Sequence, residues 1–245
     1  MNTPEKVNFI SHWIKDYVNN MPTKAQSLVI GISGGIDSSV SSTLSAMTGL
    51  KTIILSMPIK QKSQQHDLSL KHQEWLISKF KNVEGHTINL DELFSAFSSS
   101  LSKFNNEHGM ANSRARLRMT TLYQVAAANK GIVVGTGNKV EDFGVGFYTK
   151  YGDGGVDISP IADCNKTEIW ELGKELGILQ EIIDAAPTDG LWDDGRTDEG
   201  QLGLKYQELE EAMKNPNSPN RDKYELIRKQ NLHKMEPIPV CKIPN

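Results

Sequence analysis

The chain has 245 residues with 38% hydrophobic and 23% charged side chains, a composition typical of one globular domain with a large core. Its formal net charge of −3 gives no general electrostatic reason to bind nucleic acid or a membrane, and no apolar stretch approaches the roughly 20 residues of a membrane span. Glu5 and Asp16 argue against a signal peptide, and two distant cysteines, Cys164 and Cys241, argue against a disulfide framework, so we expect a cytoplasmic protein.

Apolar runs that fit buried strands alternate along the chain with segments of helical periodicity. In chain order, the pattern predicts helix 5–19, strand 28–32, helix 38–47, strand 51–59, helix 64–80, strand 85–90, helices 91–103 and 112–131, strand 131–136, and helices 165–177, 201–214 and 219–234. This alternation predicts an α/β fold with a doubly wound, mostly parallel sheet flanked by helices and followed by C-terminal helices. Ligands in such folds bind at the carboxyl ends of strands, so neighbouring first and fourth strands would open their following loops onto one crevice.

Two segments lack this periodicity and are rich in glycine. Residues 135–157 hold seven glycines in 23 positions, together with aromatic side chains that argue against disorder. Residues 187–200, PTDGLWDDGRTDEG, predict a second loop, which we expect to be mobile. Loops of this length in compact domains are usually functional, so both segments are candidates for part of a binding site.

The stretch from Leu28 to Val40, LVIGISGGIDSSV, joins the first predicted strand to the following helix through glycines and serines. It contains the Gly-x-Ser-x-Gly spacing of a hydrolase nucleophile elbow, centred on Ser33. At most one strand precedes it and no HGGG-like oxyanion loop lies upstream, so a hydrolase is disfavoured. A second interpretation is a tight turn between strand and helix in which the serines only cap the helix.

A third interpretation of the same stretch is a phosphate cradle. Gly34 and Gly35 allow the backbone to approach a ligand closely, and the helix N-terminus directs amides and a positive dipole at an anion. The lysine of the usual phosphate loop is missing, whereas Asp37 lies inside the loop. Because this carboxylate would repel a phosphate, a cation must lie between them, and the sequence predicts Mg²⁺.

The segment from Ser33 to Ser38, SGGIDS, resembles the pyrophosphate loop of the ATP-pyrophosphatase superfamily. Further segments resemble those of ammonia-dependent NAD synthetases in order and nearly in spacing, from about residue 5 to the end of the chain. They are ARLRM (115–119), GTGNKVED (135–142), FYTKYGDGGVD (147–157), SPIADCNKTEIWELGKELG (159–177), PTDGLW (187–192), TDEGQLGLKY (197–206) and HK (233–234). The resemblance implies an adenine nucleotide alpha hydrolase-like fold and a single synthetase domain over 1–245, with no glutamine amidotransferase or amidase domain.

The activity that this resemblance implies is the amidation of deamido-NAD. In that family the nicotinic acid carboxylate attacks the α phosphate of ATP, which gives an NAD-adenylate and pyrophosphate, and ammonia then displaces AMP to leave NAD⁺. ATP is the co-substrate, Mg²⁺ is the cofactor, and the enzyme is a homodimer with the dinucleotide at its interface. The alternatives are another adenylating enzyme of the superfamily, either GMP synthetase-like or tRNA-modifying, and a non-catalytic adenine-nucleotide sensor.

The resemblance also implies roles for individual residues. Those implied to contact ATP are Gly31, Ile32, Ser33, Gly34, Gly35, Ile36, Asp37, Ser38, Thr136, Lys166 and Thr188. Those implied to contact deamido-NAD are Arg116, Lys150, Asp157, His233 and Lys234. Those implied to bind Mg²⁺ are Asp37 and Glu141. Arginine and lysine suit the pyrophosphate or carboxylate of a dinucleotide, which agrees with the second set.

Lys166 and Asp198 are the predicted catalytic residues. The nucleophile and ATP are both anionic, so a cation such as Lys166 can offset their repulsion at the α phosphate. Lys166 also falls in the first turn of a predicted helix, where a bound anion would explain an otherwise unfavourable cation. The attacking species must be NH₃, so the Asp198 carboxylate is our candidate proton acceptor; the alternative is an acid that only favours the start of a helix.

The segment from Gly135 to Lys150 departs from the commonest family form, because it is one residue longer. We therefore expect a different local path around 143–145, whereas Glu141 keeps its aligned position. Ordinary structural roles remain as alternatives for two other sites. Arg116 and Arg118 could form a solvated helix face, and His233 could be a structural or exposed histidine.

Overall fold

The computed structural model describes residues 1–60, 63–192 and 195–244. In chain order its elements are α1 (Thr3–Asn20), β1 (Ser27–Gly31), α2 (Ile36–Met47), β2 (Thr52–Ser56), α3 (Ser63–Lys79), β3 (Val83–Thr87), α4 (Asp91–Ser100), a 3₁₀-helix (Ser102–Phe104), α5 (Glu107–Ala128), β4 (Gly131–Val133), a π-helix (Lys139–Val145), α6 (Lys166–Glu175), α7 (Gln180–Ile183), α8 (Asp198–Leu202), α9 (Tyr206–Lys214) and α10 (Arg221–Met235). Positions 193 and 194 of the predicted loop 187–200 lie outside the described residues. Within the described ranges, no helix is both long enough and apolar enough to cross a membrane.

The strands form one parallel sheet in the order β3-β2-β1-β4. This sheet, flanked by helices, confirms the predicted α/β fold. β1 pairs with β4 from Ser27 opposite Gly131 to Val29 opposite Val133. The first and fourth strands are therefore neighbours, and the loops that follow them meet at one edge of the sheet, where ligands of such folds bind.

Helices cover both faces of the sheet, which explains why β1 is nearly all apolar. Leu28 and Ile30 pack into a core shared with α1, α2 and α6. Val29 packs on the other face, into a core shared with α4 and α5. All three side chains are fully buried. Successive strand residues alternate between faces, so burial on both sides removes the polar alternation of a half-exposed strand.

The structure divides the predicted helix 201–214 into α8 and α9. α8 ends at Leu202, and Gly203 follows it with a φ of 69°, a left-handed conformation that glycine adopts without strain. The Gly203 N–H donates to the Glu199 carbonyl (2.8 Å) and closes the end of this helix. α9 then begins at Tyr206, whose side chain packs in a third apolar cluster with the π-helix and α10.

The glycine-rich segment 135–157, for which the sequence predicts no helix, contains the π-helix. Asn138 caps its start, because Asn138 Oδ1 accepts hydrogen bonds from the N–H groups of Val140 (3.0 Å) and Glu141 (3.1 Å). A π-helical turn holds more residues than an α-helical turn, and such turns are frequent at functional sites. The wider turn can accommodate the extra residue expected between Gly135 and Lys150, and Glu141 lies within it.

Candidate active site

A cavity lies where β1 and β4 end, and residues from the loops that follow both strands line it. Residues of α5, the π-helix, α6, α8 and the segment 185–191 also line it, as does Met57 beyond the end of β2. The predicted site residues that line it are Gly31, Ile32, Ser33, Gly35, Ile36, Asp37, Ser38, Thr136, Glu141, Lys166, Thr188 and Asp198. The structure thus brings together nearly all residues predicted for ATP, metal and catalysis. The predicted site residues that do not line the cavity are Gly34, Arg116, Lys150, Asp157, His233 and Lys234.

The loop between β1 and α2 is shaped by glycines and braced by serines. Gly34 has a φ of 87°, which a residue with a side chain rarely adopts. Gly35 is the N-cap of α2, so it offers no side chain to the N–H groups of the first turn. Ser38 Oγ lies 3.1 Å from Ser33 Oγ and donates to the Gly35 carbonyl (3.0 Å). Among the described residues, the partners of Ser33 Oγ are Ser38 and the Gly35 N–H, and a histidine base is absent, which argues against a nucleophile.

Three charged side chains from distant parts of the chain meet beside this loop. Lys166 Nζ, at the first residue of α6, lies 2.6 Å from Asp37 Oδ2 and 2.9 Å from Glu141 Oε1. Only 1% of Lys166 is exposed, and Asn138 Nδ2 donates to the other oxygen of Asp37 (2.9 Å). A cation in the first turn of α6 needs nearby anions, and in this structure these are the carboxylates of Asp37 and Glu141.

Burial and mutual charge set the pKa values of this cluster. Burial alone would lower the pKa of Lys166, but the two carboxylates outweigh it and raise that pKa, so the ammonium stays charged. Burial opposes ionisation of Glu141, yet Lys166 and the Tyr206 hydroxyl lower its pKa below the ordinary value. Burial raises the pKa of Asp37 despite Lys166, and the nearby charge of Glu141 adds to that shift. The cluster is therefore a cation held between two acids that repel one another.

The two carboxylates suit a hard divalent cation. Carboxylate oxygens are the ligands that Mg²⁺ prefers, and Mg²⁺ is usually held by one or two carboxylates plus phosphates and water. In the described ranges, no group of three or more acidic, histidine or cysteine side chains could hold a metal. Asp37 and Glu141 could therefore hold an ion only together with ligands from a bound substrate or water.

Asp198 lies close to this cluster and is linked to it by a buried tyrosine. It is the first residue of α8 and is only 5% exposed, whereas the sequence predicts it in a mobile loop. The hydroxyl of Tyr206, which is fully buried, lies 2.6 Å from Glu141 Oε1 and 3.2 Å from Asp198 Oδ2. Burial, together with the charge of Glu141, raises the pKa of Asp198 to about 8. Tyr206 lies in the quoted segment TDEGQLGLKY, but its type and spacing give no sign of this contact.

The cations predicted for the dinucleotide form a second cluster, joined through backbone carbonyls. Arg116 Nε donates to the Lys150 carbonyl (3.2 Å), and Lys150 Nζ donates to the His233 carbonyl (3.0 Å). Lys234 Nζ donates to the Tyr148 carbonyl (2.8 Å). His233 contributes a backbone oxygen to this cluster, and the residue as a whole is exposed. Four of the five residues predicted for the dinucleotide are therefore close neighbours.

The fifth of them, Asp157, makes structural contacts. Its Oδ2 accepts from the Val133 N–H (2.7 Å), and its Oδ1 accepts from the Tyr123 hydroxyl (3.0 Å). Partial burial and this carboxylate raise the pKa of Tyr123 to about 12, so the hydroxyl remains a donor. Both oxygens of Asp157 thus tie the end of β4 to α5.

The cavity also holds charged side chains to which the sequence assigns no role. They are Arg118, Asp142, Asp153 and Asp189. The alternative that Arg118 belongs to a solvated helix face is wrong, because its Nη2 is shielded from solvent and its Nε donates to the Met57 carbonyl (3.0 Å). Burial, and after it the like charge of Asp153, raises the pKa of Asp142 well above its usual range. These residues lie in the quoted segments, but residue type alone does not tell which side chains face a ligand.

Comparison with known proteins gives consistent matches. A family model described as NAD synthase matches residues 6–243. The chain is 36% identical over 218 residues to the NH₃-dependent NAD⁺ synthetase of Carboxydothermus hydrogenoformans, an alignment that covers 87% of this chain and 86% of that relative. Both shares are high, so the match concerns nearly the whole of each protein.

Solved structures agree with the sequence comparison. The structure of NMN synthetase from Francisella tularensis superposes with a TM-score of 0.89 at 34% identity and covers 100% of this chain and 99% of that one. The NH₃-dependent NAD synthetase from Campylobacter jejuni superposes with a TM-score of 0.79 at 24% identity and covers 99% of this chain and 100% of that one. The second likeness concerns the fold alone.

Proposed function

The chain belongs to the NAD synthase family, and we propose that it forms NAD⁺ from deamido-NAD, ATP and ammonia. The observation that carries this proposal is the cluster of Lys166, Asp37 and Glu141 beside the SGGIDS loop. The reaction joins the nitrogen of ammonia to a carboxyl carbon, so the enzyme is a ligase that forms a C–N bond. Family membership favours this reaction over a GMP synthetase-like or tRNA-modifying activity and over a non-catalytic nucleotide sensor.

The first step forms the NAD-adenylate. An oxygen of the nicotinic acid carboxylate attacks the α phosphorus of ATP, and the bond to the β-phosphate oxygen breaks, which releases pyrophosphate. We propose that Gly31–Ser38 hold the departing phosphates and that Thr136 and Thr188 also contact ATP. Lys166 supplies positive charge beside the loop, where nucleophile and phosphate would otherwise repel one another.

We propose that Asp37 and Glu141 bind Mg²⁺ together with phosphate oxygens of ATP. When bound, the ion neutralises phosphate charge and polarises the phosphoryl oxygens. The donor set fits, because both side chains already converge on one cation, the Lys166 ammonium. Asp37 then no longer opposes an anion in the loop, which is the physical reason for a carboxylate at this position.

The second step needs a proton acceptor, and we propose Asp198 for it. The ammonia nitrogen attacks the carboxyl carbon of the adenylate, the bond from that carbon to the phosphate oxygen breaks so that AMP leaves with this oxygen and the electron pair, and the nitrogen must lose a proton. Among the described residues, Asp198 Oδ1 is buried without a hydrogen-bond partner, so it is available to an incoming N–H group. A pKa of about 8 places the carboxyl near the range in which a general base is efficient.

Replacement of Tyr206 by phenylalanine should weaken Mg²⁺ binding and lower kcat/KM by roughly 10- to 100-fold, because Glu141 loses a charge-assisted hydrogen bond. Steady-state rates across a Mg²⁺ titration would measure both effects. Tyr224→Phe is the matched control, because Tyr224 is buried in the same apolar cluster as Tyr206, whereas among the described residues its hydroxyl contacts neither Glu141 nor Asp198. Equal behaviour of the two variants would contradict a role for the Tyr206 hydroxyl in the site.

We propose that the cluster of Arg116, Lys150, His233 and Lys234 contacts deamido-NAD and that two chains form a homodimer with the dinucleotide at their interface. The cluster gathers positive charge that suits the pyrophosphate of a dinucleotide. We also propose Asp157 as a contact, although its carboxylate oxygens are bonded to protein groups. Sedimentation of the active enzyme at assay concentration should give the mass of two chains, and full activity in a monomer would contradict the dimer.

We further propose that 1–245 form a single synthetase domain in the cytoplasm that uses free ammonia or ammonia delivered by a separate subunit. Purified protein with ATP, Mg²⁺, deamido-NAD and ammonium should produce NAD⁺, AMP and pyrophosphate in equal amounts. Glutamine in place of ammonium should give only background rates. ADP as the product, or equal rates with glutamine, would contradict this function.

A second candidate acceptor is the mononucleotide of nicotinic acid. The observation that favours it is the likeness, at 34% identity over nearly all of both chains, to an NMN synthetase. The chemistry at the carboxylate would be the same, and the acceptor would lack the AMP half of the dinucleotide and with it the pyrophosphate that the cluster around Lys150 is proposed to contact. The test compares kcat/KM for deamido-NAD and for nicotinic acid mononucleotide at saturating ATP and ammonium. A higher value for the mononucleotide would replace the first proposal for the acceptor.

A further inference from the structure

One partly buried cation in the cavity has a shielded amino group that the protein leaves without a partner. Arg118 lies on α5 and lines the cavity. Its Nε donates to the carbonyl of Met57, just beyond the end of β2 (3.0 Å), which fixes the direction of the side chain. Its Nη2 is shielded from solvent and, within the described part of the chain, has no hydrogen-bond partner.

Such an arrangement is costly in a protein with no ligand. A guanidinium has five N–H donors, and a buried donor that lacks a partner loses its hydration without compensation. Burial, with the charge of Arg114 in addition, lowers the pKa of Arg118 to about 10, so the group remains a cation at neutral pH. Asp153 and Asp189 act on it through their charges, yet neither carboxylate accepts from Nη2.

The position of Arg118 relates it to the phosphate loop. The cavity wall on α5 is formed by residues at helical spacing, namely Ala115, Arg118, Met119 and Leu122. A side chain at Gly31 would lie 3.2 Å from Met57 Cε and 3.5 Å from Leu122 Cδ1, so this wall approaches the start of the loop closely. A ligand that fills the cavity between the loop and α5 would lie beside the Arg118 guanidinium.

We propose that Arg118 is an oxyanion-binding residue of this cavity and that its Nη2 donates to an anionic oxygen of a bound substrate. The inference rests on the proposed adenylation, in which both ATP and the acceptor carry such oxygens. Arginine suits this task because its planar fork matches carboxylate and phosphate groups. The residue would belong to the binding site itself, in the cavity that residues of the SGGIDS loop also line.

The test separates ligand binding from folding. Arg118→Met keeps the apolar stem and removes the fork, whereas Arg118→Lys keeps the charge and removes the fixed geometry. Arg221→Met is the matched control, because Arg221 Nη1 also donates to a backbone carbonyl, that of Ala212 (2.7 Å), but the residue does not line the cavity. Each variant is compared with the wild type by calorimetric titration of ATP·Mg²⁺, by acceptor kinetics and by thermal unfolding.

Arg118→Met should lower affinity or kcat/KM by about 10- to 100-fold, the loss expected for one hydrogen bond to a charged group, while its melting temperature stays equal to or above that of the wild type. Arg118→Lys should give a smaller loss. A loss in ATP titration identifies a phosphate of ATP as the oxyanion, and a loss confined to acceptor kinetics identifies the acceptor. Unchanged binding and kinetics with a lower melting temperature, as expected for Arg221→Met, would overturn the proposal. The wild-type assay is run first, so an inactive wild type counts against the proposed function and not against Arg118.

Discussion

Replacing Lys166 with methionine is expected to lower kcat/KM by about three orders of magnitude, the upper range for the loss of one preorganised charge at a reacting phosphate. The same change should destabilise the free enzyme by up to about 3 kcal/mol, because it leaves the largely buried carboxylates of Asp37 and Glu141 without their cation. Equilibrium unfolding in Mg²⁺-free buffer and steady-state kinetics measure the two losses separately.

The control for this variant removes a different ion pair that α6 makes. Lys6→Met removes the ion pair between Lys6 and Glu168 of α6, whose side chains are 27% and 29% exposed. Its loss should cost no more than about 1 kcal/mol, as is typical of exposed pairs, and should leave kcat/KM unchanged. A Lys166→Met protein as stable as Lys6→Met would mean that the three-residue cluster does not form.

The stability of Lys166→Met relative to the wild type should depend on Mg²⁺ and on pH. Mg²⁺ should raise the melting temperature of Lys166→Met more than that of the wild type, because the ion replaces the missing ammonium between Asp37 and Glu141. Lys166 lowers the pKa of Glu141, so the stability gained from this pair is present above the unfolded pKa of a glutamate and is lost as the pH falls. The stability difference between wild type and variant should therefore narrow in acid.

The sequence predicted a cation, Mg²⁺, beside Asp37 and named Lys166 as a cation of the same site, but it did not predict that Lys166 contacts Asp37 directly. A carboxylate inside a phosphate loop requires positive charge nearby, and that argument needs only Asp37 and its neighbours. The partner, Lys166, is 129 positions away along the chain, and their contact depends on how α2 and α6 pack beside the sheet. The sequence did not predict which strands are neighbours, because periodicity identifies buried strands but does not say which ones pair. One crevice between the first and fourth strands followed only on the assumption that these two strands pair.

Other parts of the site could not be predicted from the sequence, for a related reason. Tyr206 looks like an ordinary core aromatic, and only the turn at Gly203 directs its hydroxyl to Glu141. The π-helix depends on the cap at Asn138 and on local hydrogen bonds that have no period in the sequence. The unused donor of Arg118 is visible only when every possible acceptor around it has been placed. Contacts between distant segments decide the first and the third, whereas local hydrogen bonds decide the second.

Asp198→Asn is expected to lower kcat by roughly 10²- to 10⁴-fold, the usual contribution of a general base. In the wild type, kcat should rise with pH through about 8, as the buried carboxyl loses its proton. The variant, which has no proton to lose at this position, should lack that rise. A pH–rate profile for both proteins with saturating ammonia at each pH measures the difference, and an unchanged profile in the variant would assign the proton transfer to another group.

The same substitution should change the pH dependence of stability in a defined direction. Burial raises the pKa of Asp198 from its ordinary value near 3.8 to about 8, so between these values the folded protein holds a proton that the unfolded chain releases. The free energy of unfolding contributed by this group therefore falls as the pH rises through that window, by an amount on the order of a few kcal/mol, and is constant above it. Denaturant titrations in Mg²⁺-free buffer should therefore show that Asp198→Asn gains stability relative to the wild type as the pH rises from about 5 to 8, the range roughly set by this window.

Asp184→Asn, on the exposed end of α7, is the control and should follow the wild-type curve at every pH. If Asp198→Asn also runs parallel to the wild type, Asp198 is ionised throughout, and the burial that makes it a candidate base is not present in solution.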